Sequence, residues 1–182
     1  ATVYGTISNL GKRVNLNPII RVTNYKGDMF DNNNKVLAKQ VLDPGVAYII
    51  ANILADNRAR SFEFGTNSPL NIPNRTVSVK TGTSDNKRDN WTIGFTKSFL
   101  VAAWVGNNDN SPMSQSLASG ITGAAPIWNR VMTAILPNVS DALQKMPDNI
   151  VVKTCYGVPE YFIKGTEQCT LVATPSAVII RN

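Results

Sequence analysis

Between residues 75 and 106 three strand-forming runs follow one another with only short turns between them. That succession limits the fold more than any other stretch of the chain. The runs are about 75–82, 90–96 and 99–106, and Thr96-Lys97-Ser98 is a tight link between the last two. A link this short can only return a strand antiparallel, because a parallel neighbour needs a crossover of a dozen or more residues. An antiparallel meander is therefore expected. In its middle strand Trp91, Ile93 and Phe95 alternate with Thr92, Gly94 and Thr96. Such alternation predicts a buried aromatic face and a small or polar outer face. Phe99 to Val105 is continuously apolar, which predicts a strand covered on both faces, with Trp104 in the core.

Helices are expected on either side of this block. Asp43 is a helix cap and Pro44 stands at the first helical position, where its missing N–H costs nothing. Val46, Ile49, Ile50, Ile53 and Leu54 then form one apolar stripe, and Asp56-Asn57 ends the helix. A second helix opens near Pro126, carries Ile127, Trp128, Val131, Met132, Ile135 and Leu136 on one face, and stops at Pro137. Residues 57–74 read as a long connection anchored by Phe62, Phe64 and Leu70, and residues 107–124 as a surface loop. Ile19–Tyr25 reads as a strand, Lys26-Gly27-Asp28 as its turn and Met29-Phe30 as a weak return. From Pro147 the character changes. Residues 150–154, 160–163 and 177–180 are short strand candidates separated by Pro and Gly. The expected class is α+β, an antiparallel sheet with packed helices over residues 1–146, followed by a small β appendage over 147–182.

Composition excludes several chemistries. With 43% hydrophobic and 16% charged residues the chain is a folded one. It has no histidine, which removes Ser-His-Asp and Cys-His catalysis and most zinc sites. No cofactor or metal is expected, and any acyl transfer must use lysine to handle protons. Lys+Arg 18 against Asp+Glu 12 leaves +6, but the basic residues are scattered, so no nucleic-acid partner is expected. No apolar run reaches 18 residues, so neither a membrane-spanning helix nor a signal peptide is read here.

Chemistry concentrates where the first strand ends, at Lys80-Thr81-Gly82-Thr83-Ser84. A point charge, two hydroxyls and a residue without a side chain suit an anionic ligand lying along a strand edge. Lys-Thr-Gly is also a motif of penicillin-binding proteins and serine β-lactamases. Around it stand Asp43-Pro44-Gly45-Val46-Ala47-Tyr48, Phe64-Gly65-Thr66-Asn67-Ser68-Pro69-Leu70, Asp89-Asn90-Trp91-Thr92-Ile93-Gly94-Phe95-Thr96, Val101–Asp109 and Gly123-Ala124-Ala125-Pro126-Ile127-Trp128. In this order the chain resembles the C-terminal part of the transpeptidase domain of class A, bifunctional penicillin-binding proteins.

The resemblance implies a peptidoglycan D,D-transpeptidase. A serine acyl-enzyme would form on D-alanyl-D-alanine stem peptides, and β-lactams, mimics of that dipeptide, would leave a slowly hydrolysed acyl-enzyme on the same serine. It implies Lys80 and Thr83 as catalytic residues and Lys80, Thr81, Gly82, Thr83 and Ser84 as substrate-binding ones. Thr81 and Thr83 hydroxyls would hold the terminal carboxylate, and the Thr83 N–H half of the oxyanion hole. The family's nucleophilic Ser-x-x-Lys and its Ser-x-Asn motif lie upstream of residue 1. Ser84-Asp85-Asn86-Lys87 satisfies both strings, but in a polar turn rather than at the start of a buried helix. The implied partners are stem peptides, β-lactams and the remainder of the penicillin-binding protein, possibly a separate chain. The implied place is extracytoplasmic, with a membrane anchor outside this segment. Ala1 is not a Met, and Tyr4–Gly11 reads as the inside of a helix or loop of the family domain, so a piece of a longer protein is expected.

Cys155 and Cys169 are the only cysteines, and in an extracytoplasmic chain their pairing is expected over two free thiols. Glu160-Tyr161-Phe162…Gly165-Thr166-Glu167-Gln168-Cys169 resembles the tail of family members. Two other readings stay open: a non-catalytic module that binds peptidoglycan or a partner, and a piece of a serine β-lactamase.

Overall fold

The computed structural model describes residues 1–31, 37–114, 119–136 and 143–169. Helix α1 (Thr2–Ser8) leads into β1 (Lys12–Val14), β2 (Val22–Thr23), β3 (Met29–Asp31) and β4 (Ala38–Gln40). Helices α2 (Pro44–Ala55) and α3 (Asn57–Phe64) follow. Then come β5 (Ser78–Thr83), a 3₁₀ turn (Asp85–Lys87), β6 (Asp89–Phe95) and β7 (Leu100–Gly106). Helix α4 (Ala124–Ile135) and the hairpin β8 (Ile150–Cys155) and β9 (Val158–Ile163) complete it. The class is α+β. Strands β5, β6 and β7 form one antiparallel sheet in that order, and β1–β4, β2–β3 and β8–β9 form two-stranded ribbons.

The sheet's register sets Thr81, Thr92 and Ala103 in one row, and Gly82, Trp91 and Trp104 in the next. Residues two apart share a face. One face therefore carries Val79, Thr81 and Thr83, then Asn90, Thr92 and Gly94, then Val101, Ala103 and Val105. Helix α4 packs on this face with Trp128 and Met132, and the cluster closes with Leu136, Leu70, Ile72 and Val77.

This reverses the expected faces at the head of β6, while Phe95 is buried as expected. Asn90 and Thr92 are 0% exposed, whereas Trp91 is 42% exposed. The reason is α4: its indole Trp128 needs a shallow surface, and Gly94 and the short side chains beside it supply one. Strand β7 is also not central. Among the described residues it is an edge of the sheet, and Ala102 and Trp104 are exposed because only its other face meets α4. Trp104 instead packs beside Trp91, ring centroids 6.3 Å apart.

Helix α2 begins as expected, with Asp43 Oδ1 accepting from the N–H groups of Gly45 (2.8 Å) and Val46 (3.1 Å). Its buried side differs from the expected stripe. Gly45, Ala47 and Ala51 are buried, while Ile53 is 65% exposed. Close approach explains this. The Ser78 hydroxyl donates to Ala51 O at 2.7 Å, and a Cβ on Gly45 would strike Ile163 and Asn149. Small residues let β5 and the C-terminal hairpin come up against the helix backbone.

The expected long loop at 57–74 is half helix. Asp56 Oδ1 accepts from Arg58 N and Ala59 N and so caps α3. Leu70 is buried and Phe64 packs against the core, but Phe62 points wholly into solvent. The strand expected at Ile19–Tyr25 shrinks to Val22–Thr23, and Ile19 and Ile20 are exposed rather than held by packing among the described residues. Helix α4 ends at Ile135. Pro137 and the strand expected at 177–180 lie outside the described residues.

The C-terminal hairpin rests on α2. Tyr161 meets Tyr48 edge to face at 5.5 Å, and Asn149 Nδ2 donates to Asp43 Oδ1 at 2.9 Å. Cys155 and Cys169 form a disulfide that draws the chain after β9 back to the end of β8.

Candidate active-site wall

Strand β5 is the other free edge of its sheet among the described residues. Its pairing decides where its groups point. Ser84 N–H donates to Asp89 O at 2.9 Å, toward β6. N–H directions alternate along a strand. The N–H groups of Thr83 and Thr81 therefore face away from β6, along the open edge. The Thr81 carbonyl faces the same way, and the exposed Lys80 ammonium reaches over the edge to donate to it at 2.7 Å. Gly82 lies between them. No atom stands within 4 Å of where a Cβ on Gly82 would sit. The edge thus presents a cation, two backbone N–H donors and a gap, with the hydroxyls of Thr81 and Thr83 on the α4 side of the strand.

A groove of about 270 Å³ runs beside Lys80 and Thr81, walled by Ile53 and Leu54 of α2, Arg60 and Phe64 of α3, and Leu70. Its far side is fixed by Arg60. The guanidinium donates to Leu54 O (2.7 Å), Ala55 O (3.3 Å) and Asn57 Oδ1 (3.1 Å). It thereby satisfies the last carbonyls of α2, where a cation also suits the helix dipole. Burial pulls the Arg60 pKa below its ordinary value, and the Asp56 carboxylate partly offsets this.

Behind the strand end lies a second layer that sequence reasoning missed. The Ser84 hydroxyl donates to Asp89 Oδ2 (3.1 Å) and accepts from Asp89 N (2.8 Å), while Asp89 Oδ1 accepts from Trp104 Nε1 (2.9 Å). Ser84 closes the turn to β6 with a hydroxyl already engaged. Asn90, fully buried, joins Thr83 to α4: its Nδ2 lies 3.4 Å from Thr83 Oγ1, and its Oδ1 accepts from Ala124 N at 2.8 Å. Gly120 backs Thr81 so tightly that a Cβ there would lie 2.7 Å from Thr81 Cβ. Asp and Asn are disfavoured within strands, and the pair Asp89-Asn90 at the head of β6 was the available signal. Among the described residues no group of His, Cys, Asp or Glu could hold a metal ion, and no helix is long and apolar enough to cross a membrane.

The fold is that of penicillin-binding proteins. No family model matches the chain. Solved structures do. Penicillin-binding protein 1A from Haemophilus influenzae superposes on 91% of this chain and 31% of its own, with TM-score 0.77 at 20% identity. The penicillin-binding protein PonA1 from Mycobacterium tuberculosis covers 80% of this chain and 39% of its own, with TM-score 0.61 at 21% identity. In sequence, penicillin-binding protein 1A of Aquifex aeolicus is 30% identical over 90% of this chain, and that of Neisseria lactamica 28% over 90%. The chain spans 23% and 20% of those relatives' lengths. In sequence the chain is similar to the penicillin-binding proteins 1A and in fold to the penicillin-binding proteins, a likeness consistent with the C-terminal part of the transpeptidase domain of a class A member.

Proposed function

We propose that this chain forms one wall of the active site of a peptidoglycan D,D-transpeptidase, whose nucleophilic serine is carried by the remainder of the protein. The open β5 edge carries this reading, with Lys80 reaching over it, the Thr81 and Thr83 N–H groups facing it and the gap at Gly82.

A D-alanyl-D-alanine stem peptide lies along that edge, its backbone close to Gly82. Thr81 and Thr83 hydroxyls hold the terminal carboxylate. The serine oxygen bonds to the penultimate carbonyl carbon, and the oxyanion that develops takes a hydrogen bond from Thr83 N–H. One such donor is worth about 10²–10³ in rate. The amide C–N bond then breaks and D-alanine leaves with the proton taken from the serine. Lys80 holds positive charge beside that proton path. An amine from a neighbouring strand attacks the acyl-enzyme to complete the cross-link. β-Lactams follow the first half of this path and stall. Ser84 acts by closing the turn that carries Thr83, since its own hydroxyl is occupied by Asp89. The protein works outside the cytoplasmic membrane, anchored by a part other than this one.

Intact-mass analysis after incubation with a penicillin tests the reading. The adduct is expected on the polypeptide that includes the upstream serine, and none on the 182-residue chain alone. A covalent adduct on the isolated chain would sink the assignment of the nucleophile. No adduct in either would leave a binding module. Rapid release of hydrolysed penicillin would point to a β-lactamase.

A further inference from the structure

We infer that Asn90 is a positioning residue: it orients the Thr83 hydroxyl so that its proton points at the ligand's carboxylate. The inference rests on the reading of Thr83 as a carboxylate-binding residue. The argument is one of hydrogen-bond polarity. The backbone N–H of Ala124, in the first turn of α4, can only donate, so the group it meets at 2.8 Å is the amide oxygen of Asn90. That leaves the amide nitrogen facing Thr83 Oγ1, and an amide nitrogen only donates. Thr83 Oγ1 therefore accepts from inside the protein, and its own proton is free to be given outward. Asn90 is 0% exposed, and its register partner on β5 is Thr83, so no water competes for the amide. The chain of polarity runs from the helix N-terminus, through the amide, to the hydroxyl at the open edge.

A purely structural Asn90 would serve only as the polar partner of the α4 N-terminus. The two roles make opposite demands on Asn90→Asp. A carboxylate accepts well from Ala124 N–H and suits the positive end of a helix. It cannot donate to Thr83, and instead draws the Thr83 proton inward and sets a negative charge behind the ligand site.

The experiment uses the complete polypeptide that carries this chain with the nucleophile. It compares acylation rate constants for a penicillin and for its methyl ester, which lacks the free carboxylate. Their ratio does not depend on the folded fraction. The expected order of carboxylate preference is wild type, then N90A, then N90D, with the last reduced about tenfold or more, the scale of one hydrogen bond to a charged group. On a T83V background N90A should change the ratio no further. If N90D fails to fold, N90A with and without T83V decides the same point. Preference retained in N90D, or in N90A when N90D cannot be made, overturns the inference while leaving Thr83 in place. A ratio that T83V leaves unchanged overturns instead the carboxylate role of Thr83 on which it rests.

Discussion

The indole of Trp128 occupies the space that a side chain on Gly94 would need: a Cβ there would lie 2.7 Å from Cε2, and closer still to Cζ2. Trp128 is wholly buried, and its contact with β6 joins α4 to the middle of the sheet. Gly94→Ala should therefore destabilise the fold by about 1–3 kcal/mol, the usual cost of overpacking a filled core. Trp128→Ala should cost roughly 3–5 kcal/mol through the cavity it leaves. Urea unfolding followed by far-UV circular dichroism measures both, and a neutral Gly94→Ala would show that α4 can move off the sheet.

Gly82 should behave in the opposite way. A side chain there meets nothing within 4 Å, and its backbone lies in ordinary extended territory. Gly82→Val should leave stability within about 0.5 kcal/mol, as for a surface substitution. In the complete polypeptide it should slow penicillin acylation by at least about tenfold, since the ligand backbone loses its close approach. Unchanged acylation would place the ligand elsewhere.

Lys80 is the matching test on the charge. Among the described residues its ammonium bonds only a neighbouring carbonyl, and it is exposed, so Lys80→Ala should melt with the parent protein. Acylation should fall by about 10²–10⁴, the range for removing a group that handles protons. Full activity in this variant would remove β5 from the chemistry.

The disulfide between Cys155 and Cys169 closes a loop with sequence separation 14. A loop of about 15 residues is worth roughly 3 kcal/mol in the chain-entropy model. The effect should be local, because Lys153 Nζ on Glu167 O and Tyr156 OH on Cys169 O are the other described bonds tying the segment to β8. Reduction, or Cys169→Ser, should expose Lys164 to limited trypsin digestion while the α4–sheet core keeps its protection from hydrogen exchange. Loss of protection throughout would mean that the hairpin supports the whole fold.

Asp43 gives a pH dependence of known sign. Its pKa lies below the ordinary 3.8, first because Val46 N–H and then because the Asn149 amide bonds the carboxylate. A depressed folded-state pKa means that the ionised group stabilises the fold at neutral pH. The contribution is complete above the unfolded value and is lost as pH falls below about 4 through the folded one. Asp43→Asn should lower the melting temperature at pH 7 and narrow its gap to the parent protein in acid. A gap that stays constant with pH would assign the cap to hydrogen bonding alone.

Much of this was legible locally. The Asp43-Pro44 start of α2, the antiparallel meander and the Lys-Thr-Gly-Thr strand depend on neighbours in the chain, on turn length and on caps, and these act within a few residues. Helix α3 was missed although Asp56 is a good cap, because Asn57–Phe64 carries no core-facing stripe and Phe62 is fully exposed.

The sequence by itself determined the three strands of the meander, their antiparallel order and the resemblance to penicillin-binding proteins. Only the tertiary structure decided which face of each element is buried. Periodicity assigns residues to faces but not faces to neighbours, and burial depends on what packs there. Trp128 chose the Gly94 face of β6 over the Trp91 face, and the close approach of Ser78 and Ile163 chose Ala51 and Gly45 of α2 over Ile53. The same packing set Asn90 between Thr83 and the start of α4, a placement 34 residues apart in the chain that no local pattern encodes.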